Sequence, residues 1–365
     1  MENNHENHEN QNNQEGQQPP QPTPPLQGQA MIDAAKAEYD RIMNLPPDTG
    51  MFIVKPANTW SYEASLRPIP QMLYDELWYE GELCILFADT NTGKSILAVQ
   101  IADSISRGVP IEGFTMTAAA QPVIYFDFEL FDKQFELRYS ADYQQHYTFA
   151  DKLLRAEIDP DMCVPDGYDC MEDYLHDSIA TTVMTTGARV LIIDNITYLR
   201  QETEKAKDAL PLMKHLKELK KRYGLSILAL AHTPKRDASK PLNRNDLQGS
   251  KMLMTFCDSS FCIGESATDR TLRYLKQIKT RAKEFRYHER NVALCRIEKP
   301  HNFLRFTLTG FGEEGEHLRD SEDRDREWLV RECKRLAEEC PLLTQRDIAM
   351  ELGISVSSVN KYLHM

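Results

Sequence analysis

Apolar positions along this chain keep two rhythms, and the places where the rhythm changes mark out its parts. Short unbroken apolar runs recur at Leu83 to Phe87, Val123 to Phe128, Val190 to Ile193 and Ser226 to Ala231. Such runs of Val, Ile, Leu and Phe suit strands covered on both faces. Between them, Ile96 to Ser106, Met171 to Thr186 and Ala206 to Tyr223 read as helices. The alternation predicts a parallel sheet flanked by helices. After Cys257 the stretches shorten and alternate, near Ser259 to Gly264, Thr271 to Ile278, Asn291 to Ile297 and Phe303 to Leu308. These predict antiparallel strands that extend the sheet.

The last part returns to helical spacing. Trp328, Leu329, Cys333 and Leu336 share one helical face. Two short helices follow, with Ala349 small enough for a close crossing, Gly353 in the turn, and Ile348, Leu352, Ile354, Val359 and Leu363 as a shared core. Thr344 and Ser355 are natural N-caps. This is the pattern of a helix-turn-helix. Its second helix would present Ser355, Ser357, Ser358, Asn360 and Lys361 to duplex DNA. With one cation among them, protein contacts are an equal alternative.

Composition sets the boundaries. Residues 1–30 are Asn, Gln, Glu and Pro with few apolar side chains, so they read as a disordered polar tail in which His5 and His8 are simply solvated. Residues 31–79 read as an N-terminal helical arm, 80–312 as the α/β domain, 313–324 as a charged linker and 325–365 as the helix-turn-helix. No run approaches the ~20 apolar residues of a membrane span and no signal pattern is present, which predicts a soluble, cytoplasmic chain with no membrane partner. The eight cysteines lack zinc-knuckle spacing and read as reduced thiols. A net charge of −13 excludes a protein that coats nucleic acid with its whole surface, so any such contact must be local.

The strongest chemical signal lies between the first strand and the first helix. Ala88-Asp89-Thr90-Asn91-Thr92-Gly93-Lys94-Ser95 has the order of a phosphate-binding loop. Successive backbone N–H groups cradle polyphosphate, Lys94 adds charge near the β and γ phosphates, and Ser95 offers an oxygen to Mg²⁺. The helix that follows points its positive end at the same anion. Ala88 replaces the usual first glycine. Downstream, the strand ending at Asp194 would set a carboxylate beside the Mg²⁺. Asp127 and Glu129 end another strand, and Glu129 is placed to orient attacking water. His232 ends a fourth strand, where it could bond the γ phosphate.

Two basic segments complete the reading. The stretch from Arg270 to Lys299 holds ten Lys or Arg against three Glu. It is either a solvated strand face or an electrostatic surface, and the latter is expected. The segment from Pro234 to Lys251 is long, basic and without periodicity, and such loops are usually functional or mobile.

Taken in order, Ala88 to Ser95, Asp127-Phe-Glu129, Ile192-Ile-Asp194-Asn and Ala231-His232-Thr233 resemble the motifs of RecA-type ATPases, and among them the RepA-like hexameric helicases of plasmids and mobile elements. The resemblance spans about Leu83 to Leu308. It implies a RecA-like P-loop NTPase core, ATP and Mg²⁺ as cofactors, a homo-hexameric ring, and single-stranded DNA in the ring channel. By the kinship of these proteins with DnaB-type helicases, Lys279-Thr280-Arg281 is similar to a Lys-x-Arg pair that reaches a neighbour's ATP site. The implied roles are Lys94 and Ser95 on phosphates and Mg²⁺, Asp194 on Mg²⁺, Glu129 as catalytic carboxylate, His232 as γ-phosphate sensor, and Arg281 with Lys279 acting in trans. The segment after His232 would face the channel, which makes Lys235, Arg236, Lys240, Arg244 and Lys251 candidate DNA contacts. The expectation is an ATP-dependent DNA helicase or translocase. An ATP-switched DNA-binding regulator and a small-molecule kinase are the alternatives.

Overall fold

Strands with apolar side chains on both faces need cover on both sides, and the helices of this chain provide it. The computed structural model describes residues 28–43, 50–196, 198, 209–234, 236–247, 250–281, 284–319, 321–340 and 343–365. The polar tail expected over residues 1–30 falls almost wholly outside them. The chain divides into two units, Met1–Ile69 and Pro70–Met365.

The first unit contains helices α1 (Gln29–Met43) and α2 (Ala57–Ser65). Lys55 pairs with Glu63 at 2.6 Å and lies over the Trp60 ring. Met51, Phe52, Ile53 and Val54 are all exposed. The expected arm ended at Tyr79, but the unit ends at Ile69. The reason is burial: Leu73, Tyr74, Leu77 and Trp78 are core residues of the second unit.

The second unit opens with a small hairpin, β1 (Met72–Tyr74) and β2 (Trp78–Tyr79), then β3 (Leu83–Ala88) and α3 (Lys94–Arg107). Next come β4 (Val123–Asp127), α4 (Asp132–Arg138), the hairpin β5 (Ser140–Ala141) and β6 (Gln145–His146), and β7 (Leu153–Ala156). They are followed by α5 (Met171–Thr186), β8 (Val190–Asp194), α6 (Ala209–Tyr223), β9 (Ser226–His232) and α7 (Ser250–Phe256). The sheet then takes β10 (Ser259–Glu265), β11 (Leu272–Lys279), β12 (Val292–Glu298) and β13 (Arg305–Gly312), before α8 (Ser321–Glu339), α9 (Gln345–Leu352) and α10 (Val356–Leu363).

Nine strands form one sheet in the order β13-β12-β11-β10-β3-β9-β8-β4-β7. β3 shows why it is central: Leu83, Ile85 and Phe87 join the core on one face, and Cys84, Leu86 and Ala88 join the core on the other. The expectation of an antiparallel extension starting at β10 needs correction, because β10 runs parallel to β3 and only β11, β12 and β13 are antiparallel. The edge strand β7 went unread because only Leu153, Leu154 and Ala156 in it are apolar and none is fully buried.

Two segments read as loose are tied down. The stretch expected as a linker contains a 3-10 turn, Glu314–His317, whose Glu314 is fully buried against the Lys276 ammonium and the Tyr274 hydroxyl. The segment after His232 is anchored by buried Leu242 and Leu247. The Leu242 N–H donates to Glu314 at 2.7 Å, and its carbonyl accepts from Lys276 at 2.8 Å. A 3-10 turn, Arg244–Asp246, follows with Asn243 as its cap.

At the C-terminal end, Cys333 and Leu336 of α8 pack on Ile348, Ala349 and Val359 of α9 and α10, with Leu352, Ile354 and Leu363 at the margin. The Thr344 and Ser355 side chains cap α9 and α10, and Gly353 takes the left-handed φ of 62° that the turn requires. Trp328 departs from the expected apolar face and is half exposed.

Candidate functional site

The segment from Ala88 to Ser95 leaves the end of β3 at the point where the chain's strand order reverses. β9 lies on one side and β10 on the other, the crevice position where open α/β sheets bind ligands. Ala88 pairs with His232 of β9 and with Ile263 of β10. Its methyl is buried in the core, which accounts for alanine at a position reached while the chain is still a strand. Gly93 caps α3 with φ 101°. A Cβ there would come within 2.7 Å of Ile297 Cδ1 and 2.9 Å of the Phe306 ring, so both backbone and space demand glycine.

Within the loop, the Asp89 carboxylate accepts from the Thr90 N–H and the Thr92 hydroxyl donates to the Asp89 carbonyl, each at 2.8 Å. Asn91 takes a left-handed φ of 62°. The Lys94 ammonium, nearly buried, donates to the carbonyls of Ala88 (3.0 Å) and Asp89 (2.8 Å). Burial pulls its pKa down, and Asp194, Glu129 and Asp89 oppose that shift.

Asp194 is buried completely at the end of β8, and this desolvation pushes its pKa up to about 6 even though Ser95 and Tyr125 bond to it. The Tyr125 hydroxyl donates to one oxygen at 2.5 Å. The other, Oδ1, is buried with no hydrogen-bond partner of good geometry. A buried carboxylate oxygen without a well-formed hydrogen bond, on a residue that interacts with Ser95, is what a Mg²⁺ site provides, so these residues fit the ion: Ser95 would ligate it and Asp194 would stand beside it.

Glu129 sits just beyond the end of β4, where its carboxylate accepts from Asn195 Nδ2 and lies 3.1 Å from His232 Nε2. The bonds from His232 and Asn195, helped by Lys94, hold Glu129 below the usual carboxylate range despite partial burial. Three strand ends thus bring Glu129, Asn195 and His232 together above the lysine. Asn195 is the site residue that sequence reading missed, although it directly follows Asp194. Asp127, read beside Glu129, has a different task. It accepts from the N–H groups of Glu129 and Leu130 and pairs with Arg155 at 3.0 Å, which shapes the turn carrying Glu129.

Lys279 and Arg281 are elsewhere. Lys279 pairs with Ser260, at the start of β10, and Ser259 in turn pairs with Cys84, at the start of β3. Both cations therefore lie at the opposite edge of the sheet from the phosphate loop, a strand's length away from their own site. Lys279 donates to the carbonyls of Met254, Thr255 and Cys257 and so caps the end of α7. Arg281, half exposed, is 3.3 Å from Asp258.

At least half of the cations in the stretch from Arg270 to Lys299 are engaged within the molecule, although Arg286 and Arg296 stay exposed. Lys276 pairs with Glu314, Arg286 with Asp75, and Arg296 with Asp269, while Arg273 donates to the Thr92 carbonyl and Lys299 to that of Leu137. Among the expected DNA contacts, Lys240 is exposed beside Asp237, whereas Arg236 folds back on the Lys240 carbonyl at 2.8 Å. Arg244 lines a cavity with Lys279 and Thr280. Lys235 and the side chain of Lys251 lie outside the described residues. On α10, Ser357 is tied to Ser355 and Asn360 accepts from Gln345, while Lys361 is exposed.

No helix among the described residues is long and apolar enough to cross a membrane. Comparison with known proteins identifies the core. A family model described as an AAA domain matches residues 55–238. No curated protein matches the chain. Among solved structures, the KaiC-like protein PH0186 from Pyrococcus horikoshii OT3 is similar at 15% identity and a TM-score of 0.43, over 64% of this chain and 93% of that one.

Proposed function

We propose, from the premise that the chain belongs to the AAA domain family and hydrolyses ATP, that it is a DNA-stimulated motor of the RepA-like helicase type that works as a ring. The observation that carries this reading is the register, which sets Lys279 and Arg281 at the end of the strands opposite the phosphate loop of the same protomer. A cation at the far edge of the sheet cannot serve its own site, and in a ring it can serve the next one. Family members use ATP with Mg²⁺, and the ion would neutralise charge on the phosphates.

The residues of the chain then divide the work. Lys94 and the loop N–H groups hold the β and γ phosphates. Glu129, ionised and fixed by Asn195 and His232, accepts the proton of the attacking water or orients it. Arg281 of a neighbour stabilises charge developing on the transferred phosphoryl group, with Lys279 beside it. His232 opens the segment carrying Arg236, Lys240 and Arg244, so contact with the γ phosphate can pass to a basic surface for single-stranded DNA. The three C-terminal helices fit a helix-turn-helix, with Ser357, Asn360 and Lys361 toward duplex DNA.

The test is ATP hydrolysis with Mg²⁺, with and without single-stranded DNA, against Lys94→Ala. Stimulation by DNA that disappears in the variant supports the motor. Turnover indifferent to DNA removes it and leaves an ATP-switched regulator.

A further inference from the structure

The turn that carries Glu129 is gripped by one side chain of the edge strand β7, Arg155. Register pairs Arg155 with Tyr125 of β4, so its side chain leaves the sheet on the face that Tyr125 shares with Asp127, two residues further on. From there the guanidinium reaches across the end of β4. Its Nε donates to Asp127 Oδ2 at 3.0 Å and one terminal nitrogen to the Asp132 carboxylate at 3.0 Å. The other donates to the Leu130 carbonyl at 2.8 Å and to Glu157. The same group lies over the Phe135 ring, 4.7 Å from its centroid.

These partners bracket Glu129 in the chain. Asp127 precedes it, Leu130 and Asp132 follow it, and Phe135 stands on α4, which opens at Asp132. Asp127 divides its two oxygens. Oδ1 accepts from the N–H groups of Glu129 and Leu130, and Oδ2 accepts from Arg155. The Asp127 carboxylate is wholly buried and Arg155 is largely so, which shields the pair from screening by salt. A guanidinium suits the task because its donors form a rigid fork that one ammonium cannot reproduce. Asn195 and His232 hold the carboxylate of Glu129; Arg155, through Asp127 and Leu130, holds the backbone that carries it.

We propose that Arg155 is a positioning residue for ATP hydrolysis: it fixes the backbone of Glu129 so that the carboxylate meets the attacking water, and it makes the edge strand β7 part of what aligns the base. A misplacement of about 1 Å at such a group can cost on the order of 10² in rate. The proposal rests on Glu129 acting on water, and neither on DNA stimulation nor on a ring. A salt bridge that only supports the fold would affect ATP affinity and turnover together, whereas a positioning role is felt in kcat.

Steady-state ATP hydrolysis by the full chain tests it. Arg155→Ala should lower kcat about 10- to 10²-fold with KM for ATP unchanged, and Arg155→Lys, which reaches fewer partners, should recover part of the loss. Asp127→Asn leaves no bare buried charge and serves if Arg155→Ala does not fold. Its Oδ1 can still accept from the two N–H groups while its amide faces Arg155, so kcat should again fall with KM unchanged. Wild-type kcat in a folded variant overturns the proposal, as does a loss confined to KM. The Glu129→Gln background separates the clamp from the base. Followed there with radiolabelled ATP, loss of Arg155 should lower turnover no further. A second fall of the same size would overturn the clamp and leave Glu129 as base, whereas full activity of Glu129→Gln alone would remove the base and the role of Arg155 with it. Without nucleotide, hydrogen exchange at the Glu129 and Leu130 amides should quicken in the folded Arg155 variants, and unchanged exchange would overturn the assignment.

Discussion

The Asn195 side-chain amide lies 3.1 Å from His232 Nε2, and both groups hold the carboxylate of Glu129. Glu129, the base of the proposed mechanism, is thus positioned by neighbours at the ends of two other strands, Asn195 just after β8 and His232 at the end of β9. Glu129→Gln keeps the shape and removes the charge. It should lower kcat by about 10²–10⁴ and leave ATP affinity near wild type. Asn195→Ala, which removes one hydrogen bond from the base, should lower kcat on the order of tenfold. Steady-state kinetics on both variants would check this, and a large rise in KM for either would mean that the trio binds ATP and does not act on water.

A finger supplied by a neighbour has a signature that no monomeric mechanism shares. Arg281→Ala and Glu129→Gln should each be nearly inactive alone. Mixed and reassembled, they form some interfaces in which an intact Glu129 faces an intact Arg281. ATPase activity should therefore reappear in the mixture, and its absence in verified mixed oligomers would remove the trans role.

The buried Glu314 carboxylate answers Lys276, the Leu242 N–H and the Tyr274 hydroxyl. Glu314→Ala leaves the lysine charge buried without its partner, which costs about 3–5 kcal/mol. Urea unfolding should show that loss. Replacing both partners by methionine should restore only part of the stability, because the desolvation of two charges disappears but the Leu242 N–H and carbonyl and the Tyr274 hydroxyl lose their partners.

His176 of α5 and His215 of α6 stack with ring centroids 3.9 Å apart. Burial lowers both, His215 to about 4, with His176 lowering it further, while Asp173 and Glu172 oppose the shift in His176 and Glu218 and Asp177 oppose it in His215. The unfolded chain, with histidines near pH 6.5, takes up protons before the folded one does. The stabilisation is complete above about pH 6.5 and is lost as pH falls toward 4. Thermal melts should show His215→Phe losing part of the wild-type drop in Tm between pH 7 and pH 5. An unchanged drop would mean that other groups cause it.

Several features of this protein are fixed by local order in the chain. Ala88 to Ser95 forms a phosphate loop because glycine, lysine and serine stand in a fixed order between a strand and a helix, and each acts through its own backbone or nearest neighbours. The caps at Thr344 and Ser355 and the left-handed Gly353 are local in the same way, so the three terminal helices could be read. So could the four strands Leu83–Ala88, Val123–Asp127, Val190–Asp194 and Ser226–His232, whose apolar runs leave little choice. The tertiary structure decided what depends on strand order and on pairing between distant residues. The parallel direction of β10, the burial of Glu314 and the anchoring of Leu242 depend on partners tens of residues away. Charge count along the chain does not tell which cations between Arg270 and Lys299 are paired, because Lys276 meets Glu314 and Arg286 meets Asp75 through the fold and not through sequence. The same physics sets Asn195 against Glu129 and sends Arg281 to the opposite edge: register places side chains, and register is settled only when all the strands are assembled.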